Sequence, residues 1–285
     1  MLTGGGGPLF KLAVAVTLEE ARFNAVAKAK SLEEVATLVN RYGFDGIEIS
    51  IIDPKTLDTT YVKKILAESG LEIPALSTGL NYIHLGLSLT SSNREKRELA
   101  VKRLLEFIDL AERLEAGVVI GLIRGCIEEG QSREEAYKLM IKGLRKICAY
   151  SEQKDVQLFF EPINRYETNL INTVEESLNV LEEVESPVLK LLLDTFHMNI
   201  EEPKIEESIR KASRKIGHVH VADSNRLAPG MGHLDFHAIL TALKDAGYNG
   251  YLSAEVMIKP SLEKVLQTTG STLKPLIKNC FKGSP

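Results

Sequence analysis

Six side chains in the second half of this sequence have the chemistry to hold a cation or move a proton, and each stands at or near the end of a short apolar run. Glu161 closes LFFE. Asp194 closes LLLD, with His197 three residues on. His218 and His220 lie in GHVHV, and Glu255 follows YLSA. A carboxylate straight after an apolar run is either at an open mouth or in the interior, and an unpaired buried carboxylate costs too much to be accidental. Acidic groups converging on one mouth repel and raise each other's pKa; a divalent cation among them resolves the conflict. Three carboxylates and one imidazole make a mainly oxygen donor set. It suits one Mn²⁺, with Co²⁺ or Mg²⁺ as alternatives, and leaves positions open for substrate oxygens, unlike a closed structural zinc site. Singly, each residue has a plainer reading. Asp194 can cap a helix, a strand-end glutamate can be a surface group, and one of His218 and His220, which share a strand face, can be a hydrogen-bonded core histidine. The run of four such strand ends in succession argues for a site.

These residues need a scaffold that brings successive strand ends together. Eight short runs rich in Val, Ile, Leu and Phe read as buried parallel strands: 9–16, 46–51, 72–77, 117–123, 156–160, 188–193, 216–221 and 251–256. Amphipathic stretches separate them, at 31–42, 93–115, 132–154, 173–185, 204–213 and 236–246. Ser31 with Glu34, Ser132 with Glu135 and Thr173 with Glu176 have capping-box spacing. Strict alternation predicts a parallel sheet with right-handed crossovers, and eight units close a (β/α)8 TIM barrel with its site at the C-terminal strand ends. A doubly wound sheet would carry a glycine-rich turn after its first strand; the glycine run here, at 4–7, precedes it. Residues 1–8 are expected to be a disordered lead and 9–285 one catalytic barrel domain.

Composition narrows the function further. The 285 residues are 44% hydrophobic and 26% charged, with a net charge of −4. That balance excludes the basic stripe of a nucleic-acid surface. No apolar run reaches the ~18 residues of a membrane span, and the N-terminus lacks the pattern of a signal peptide. Cys126, Cys148 and Cys280 form no C-x-x-C pair. They read as reduced thiols, which places the protein in the cytoplasm.

The segments E-P-I-N-R-Y-E (161–167), L-D-T-F-H-M-N-I-E-E (193–202), H-V-H-V-A-D-S-N-R-x-x-P-G-x-G-H-x-D-F (218–236) and S-A-E (253–255) resemble the sugar isomerase/epimerase barrels of the xylose isomerase-like superfamily. The branch they resemble is typified by D-tagatose and D-psicose 3-epimerases. The likeness covers about 100 residues of the second half; the first half matches in layout more than in motif. It implies that Glu161, Asp194, His220 and Glu255 hold one Mn²⁺-like ion, and that Glu161 and Glu255 are the paired acid and base. It also implies that Glu167, His197 and Arg226 hold the carbonyl end of a sugar. The expected reaction inverts C3 beside a C2 carbonyl through a cis-enediolate, one glutamate taking the proton and the other returning it to the opposite face. Strands five and eight lie across the mouth from each other, as that requires. Arg226 and His197 would donate hydrogen bonds to the developing oxyanion.

Arg124, after VVIGLI, is expected either to face the pocket or to pair with Glu128 or Glu129. Two guanidiniums at one mouth would suit a keto-sugar acid or a ketose phosphate. No glycine-rich cradle follows strand seven or eight, which moves the expectation from phosphate toward a carboxylate or a neutral sugar. Glu48, in GIEIS, is either a carboxylate behind the metal ligands or a structural ion pair. His84 lies in a long, partly apolar loop, 80–89, expected to be a lid or a subunit contact; His233 and His237 have no assigned role. Apolar residues on the outer helices, such as 93–115, point to a homodimer or homotetramer. Rival readings are an aldose–ketose or hydroxypyruvate-type isomerase, an inosose-type dehydratase, and a non-catalytic sugar-binding barrel. A three-zinc repair nuclease would need more than the six histidines present.

Overall fold

A computed structural model describes residues 10–19 and 22–281 of the chain. The expected lead, 1–8, and Leu9 lie outside the described residues. Eight parallel strands follow one another around the sheet: β1 Lys11–Thr17, β2 Gly46–Ser50, β3 Ala75–Ser77, β4 Gly117–Ile120, β5 Leu158–Phe160, β6 Leu189–Asp194, β7 Ile216–His220 and β8 Tyr251–Ala254. Pairing of β1 with β8, Lys11 opposite Tyr251 through Val14 opposite Ala254, closes the barrel. A two-residue strand, Ala27–Lys28, adds to the end of β1. No helix among the described residues is long and apolar enough to cross a membrane.

The helices are α1 Leu32–Arg41, α2 Thr59–Ser69, α3 Gly79–Leu85, α4 Arg94–Leu114, α5 Arg133–Lys154, α6 Val174–Val184, α7 Thr195–Glu201, α8 Ile205–Ala212, α9 Phe236–Asp245 and α10 Leu262–Phe281. Their starts follow the capping chemistry of the sequence. Ser31 and Ser132 accept from the third helical amide, but only Thr173 and Glu176 complete the reciprocal box. On α4 the buried stripe is Ala100, Leu104, Phe107, Ile108 and Ala111, packed against the outside of the strands. Each such large apolar side chain contributes about 1.5–3 kcal/mol by burial.

The barrel interior is different. Ala75, Val119, Phe159 and Leu192 form a small separate apolar cluster there. Phe159 stacks on His218, with ring centroids 5.2 Å apart. A Cβ on Gly117 would stand 2.2 Å from the Phe159 ring and one on Gly217 2.8 Å from it, so both positions must be glycine for that ring to fit. Above this plug the interior turns polar, and the site begins.

Candidate metal and sugar site

The four strand ends converge as their places in the chain require. Asp194 and His220 are the last residues of β6 and β7; Glu161 and Glu255 come one residue after β5 and β8. His220 Nδ1 stands 3.7 Å from Glu161 Oε1, 3.9 Å from Asp194 Oδ2 and 3.9 Å from Glu255 Oε2. Among the described residues, neither His220 Nδ1 nor Asp194 Oδ2 has a hydrogen-bond partner, although both are buried. Distances near 4 Å are too long for hydrogen bonds. They suit donors that share an ion through bonds of about 2.0–2.2 Å. Burial, with help from Glu161, pushes the Asp194 carboxyl up to about 6, against the pull of Arg226 and His220. Burial also pushes Glu255 up to about 8, Glu161 and Asp194 adding to it and His220 and Arg226 opposing it. A divalent cation would reverse both shifts. The donor set therefore fits one: three carboxylates and one imidazole, with two orphaned atoms aimed at the centre.

Two devices aim those atoms. Asp194 caps α7, its Oδ1 accepting from the Phe196 amide at 2.7 Å and the His197 amide at 3.3 Å, which leaves Oδ2 for the centre. The cap reading of Asp194 holds, and the cap uses one oxygen only, so it is compatible with the other serving a cation. On the far side of His220, Nε2 meets the fully buried Glu48 carboxylate at 3.0 Å. Glu48 also meets His218 Nε2 at 2.9 Å and accepts from Ser77 Oγ. Burial alone would raise the Glu48 pKa, but His220 and His218 outweigh it and hold the carboxyl well below its ordinary range. Against burial, Glu48, Glu255 and Glu161 raise the His220 pKa well above its ordinary value; the proton on Nε2 faces Glu48, which only accepts, and a cation at the centre would take the place of the proton on Nδ1. His218 is the hydrogen-bonded core histidine of the pair. Glu48, His218 and His220 lie near enough together to hold an ion themselves, but their contacts are of hydrogen-bond length.

One cleft of about 440 Å³ opens over this centre, lined by Glu161, Glu167, His197, Arg226 and Glu255 on its polar side. Phe23, Leu80, Ile83, Leu122 and Ile163 form its apolar wall. His197 Nε2 is 3.9 Å from both Glu161 Oε1 and Asp194 Oδ2. Arg226 donates to Glu167 Oε1 at 2.6 Å and Glu255 Oε2 at 3.0 Å. Its guanidinium lies between two rings, 4.8 Å from the centroid of Phe196 and 5.2 Å from that of Phe23.

Arg226 has a left-handed backbone, φ 60°, which a non-glycine residue adopts only when its surroundings impose it. The buried carboxylate of Asp223 does so. It accepts from the amides of Ser224 at 2.8 Å, Gly230 at 2.8 Å and Leu234 at 3.1 Å, tying both ends of the loop together. Replacing Asp223 with Ala is expected to lower kcat/KM about 100-fold by displacing the guanidinium by an ångström or so, with metal affinity retained. Steady-state kinetics beside a metal titration checks this; equal loss of both would mean a disordered barrel instead.

Arg124 corrects both expectations for it. β4 ends at Ile120, three residues earlier than its apolar run, and Leu122–Arg124 turns into a 3-10 helix. The guanidinium is fully buried and away from the cleft, with Nη2 donating to the carbonyls of Leu170 at 2.8 Å and Ile171 at 2.6 Å. It clamps the loop after β5 and pairs with neither Glu128 nor Glu129. The stretch 80–89 is likewise no open loop: helix α3 occupies much of it, and Leu80 and Ile83 line the cleft. His84 Nε2 accepts from the Arg22 amide at 3.2 Å, which ties α3 to the segment bearing Phe23. His233 Nδ1 meets Ser224 Oγ at 2.9 Å in the Arg226 loop.

The sequence reading had no place for Asn164 or Asp223. Both act by orienting other groups, and neither ends a strand. Their one signal is position, inside E-P-I-N-R-Y-E and directly before S-N-R.

Comparison with known proteins gives the same fold. The family model for the xylose isomerase-like TIM barrel matches residues 36–274. An L-ribulose 3-epimerase of Mesorhizobium japonicum is 34% identical over 82% of this chain and 78% of its own length. A D-psicose 3-epimerase of Agrobacterium fabrum is 35% identical over 85% of this chain and 82% of its own. A solved structure of L-ribulose 3-epimerase superimposes with a TM-score of 0.82 at 27% identity, covering 96% of each chain.

Proposed function

The chain belongs to the xylose isomerase-like TIM barrel family, and we propose that within it this protein is a metal-dependent 3-epimerase of neutral ketoses. The observation that carries the proposal is the placing of Glu161 and Glu255. They come from strands across the barrel, line one cleft, and both lie within 4 Å of His220 Nδ1. The names of the relatives support the same reading.

A C–H beside a ketone is weakly acidic, and inverting that carbon needs a base on one face and an acid on the other. Glu161 and Glu255 serve as that pair: for each epimer one takes the proton from its own face while the other supplies a proton to the opposite face. A divalent ion, Mn²⁺ by preference with Co²⁺ or Mg²⁺ as substitutes, would be held by Glu161, Asp194, His220 and Glu255, and would polarise the carbonyl and stabilise an enediolate. His197 and Arg226 donate to the oxygen on which charge develops. Glu167 holds one end of the Arg226 fork, and Phe23 and Phe196 keep its plane fixed. The apolar wall takes the carbon chain of the sugar and excludes water from the reacting carbon.

The charge of the lining favours a neutral substrate. It holds three glutamates and one arginine among the described residues, and that arginine is already bonded to two of them. With Arg124 committed to backbone carbonyls, a carboxylated or phosphorylated ketose finds no second cation there. We place the enzyme in the cytoplasm as a homodimer or homotetramer; Leu99, half exposed on α4, is an apolar group that a subunit contact would cover.

Solvent deuterium exchange followed by NMR tests the proposal. Mn²⁺-loaded protein is mixed in D₂O with ribulose, fructose, tagatose, psicose, a keto-hexonate and a ketose phosphate. Deuterium is expected at C3 of a neutral ketose with inversion to its epimer, whereas Glu161→Gln should exchange only one epimer, slowly and without inversion. Deuterium only at C1 would make the protein an aldose–ketose isomerase, and exchange confined to an anionic member would overturn the neutral substrate.

A further inference from the structure

Asn164 is buried against the side of the cleft and touches three groups at once. Its Oδ1 accepts from the Tyr166 amide at 2.9 Å. Its Nδ2 reaches Glu167 Oε1 at 2.9 Å and His197 Nδ1 at 2.7 Å. A backbone amide only donates and a carboxylate only accepts, so these neighbours fix which end of the Asn164 side chain is which. Nδ2 then has one proton for Glu167 and one for His197. At 2.7 Å a proton on His197 Nδ1 would point at an N–H, so Nδ1 must be the bare acceptor. The ring proton is left on Nε2, the atom that faces Glu161 and Asp194 at the cleft floor.

We infer that Asn164 is a positioning residue that locks His197 as the neutral Nε2–H tautomer, making it an obligate hydrogen-bond donor to the sugar's oxygen. The same geometry forbids the imidazolium, whose Nδ1–H would also oppose the amide. Two histidines thus meet at one centre in complementary roles. Glu48 holds the Nε2 proton of His220 away from the centre and leaves Nδ1 for a cation; Asn164 bares the outer nitrogen of His197 and turns its proton inward. The same amide orders Glu167, and through it Arg226, so one side chain sets both donors of the cleft. The inference rests on the ketose reading for what the donor is used for, but the tautomer itself is independent of that reading.

Asn164→Asp separates the two. Asp keeps the acceptor for the Tyr166 amide but replaces the Nδ2 donor with an oxygen, so His197 Nδ1 becomes the donor and the neutral ring carries its one proton there instead of on Nε2. The readout is the long-range ¹H–¹⁵N correlation pattern of His197 in Mg²⁺-loaded protein, assigned with a His197→Gln control. The wild type is expected to show a protonated Nε2 and a bare Nδ1, and Asn164→Asp the reverse. Turnover of the neutral ketose found by exchange should fall about 100-fold in kcat, as for loss of one oxyanion donor, with KM and metal affinity nearly unchanged. Asn164→Ala, which removes all three bonds, should show a mixture of tautomers and an intermediate rate. A wild-type pattern with the proton on Nδ1 overturns the inference, whether or not the variants fold. So does an Asn164→Asp protein that reverses the tautomer yet keeps its full kcat. A correct wild-type pattern in a protein that exchanges no ketose supports the lock and removes the epimerase instead.

Discussion

Changing Glu255 to Gln is expected to reduce epimerisation about 10³–10⁴-fold at saturating metal, the scale of a general acid–base group. The same loss is expected for Glu161→Gln, yet the two variants should differ in what remains. In a two-base mechanism each glutamate faces the C3 hydrogen of one epimer. A variant lacking one base can still remove and return the proton on its intact side. Each variant should therefore wash deuterium slowly into one epimer without inverting it, and each should choose the opposite epimer. NMR of the two purified epimers, incubated separately with each variant in D₂O, reads this directly. Both glutamates also sit within 4 Å of His220 Nδ1, so metal content must be measured in the same samples. If both variants exchange the same epimer, one carboxylate serves both faces and the two-base assignment is wrong.

That Glu161 and Glu255 could be brought to one mouth without coordinates follows from where barrels put their side chains. Glu161, Asp194, His220 and Glu255 end or directly follow apolar runs, and in a parallel barrel a strand end is a place at the mouth. Glu48 was visible as a charge in such a run, but its choice between ion pair and support for the metal ligands needed the three contacts of its carboxylate. Arg124 falls outside that rule. Its run of Val, Ile and Leu continues to Ile123, but the strand stops at Ile120, and a turn of three residues redirects a side chain completely. What then captures the guanidinium is a pair of carbonyls 46 and 47 residues further on. Asn164 and Asp223 were illegible for a related reason. An amide or carboxylate in a loop is the commonest thing a sequence contains, and its meaning lies in which donors surround it. Helix α2 is demanded only by the spacing of β2 and β3, α10 follows the last strand where no spacing demands a helix, and α3 occupies much of the stretch 80–89 expected to be a lid or a subunit contact. The alternation identified the barrel because it repeats eight times; no such repetition marks a hydrogen bond.

The second large effect is expected one layer behind the proposed metal ligands. Glu48→Gln should weaken divalent-ion binding about 10–100-fold, the range for losing the partner that orients a ligating histidine. The carboxylate accepts from His218, His220 and Ser77 together. An amide of the same shape offers one oxygen and one NH₂ group. One imidazole can still donate to that oxygen, but the other meets a donor and must turn its proton elsewhere. Where that imidazole is His220, the proton moves to Nδ1 and the lone pair owed to the cation is lost. Glu48→Ala is the harsher change, since it leaves two buried imidazoles and a hydroxyl without their acceptor; breaking a buried charged group of this kind costs about 3–5 kcal/mol of stability. Calorimetric titration with Mn²⁺, beside thermal melts of the apo and loaded proteins, distinguishes the two consequences. For Gln the apo melt should move little while the stabilisation by Mn²⁺ shrinks, because that stabilisation grows with the logarithm of metal concentration over Kd. An unchanged Kd in Glu48→Gln, with only the apo melt lowered, would make Glu48 a structural ion pair and return the aim of His220 Nδ1 to the strand alone.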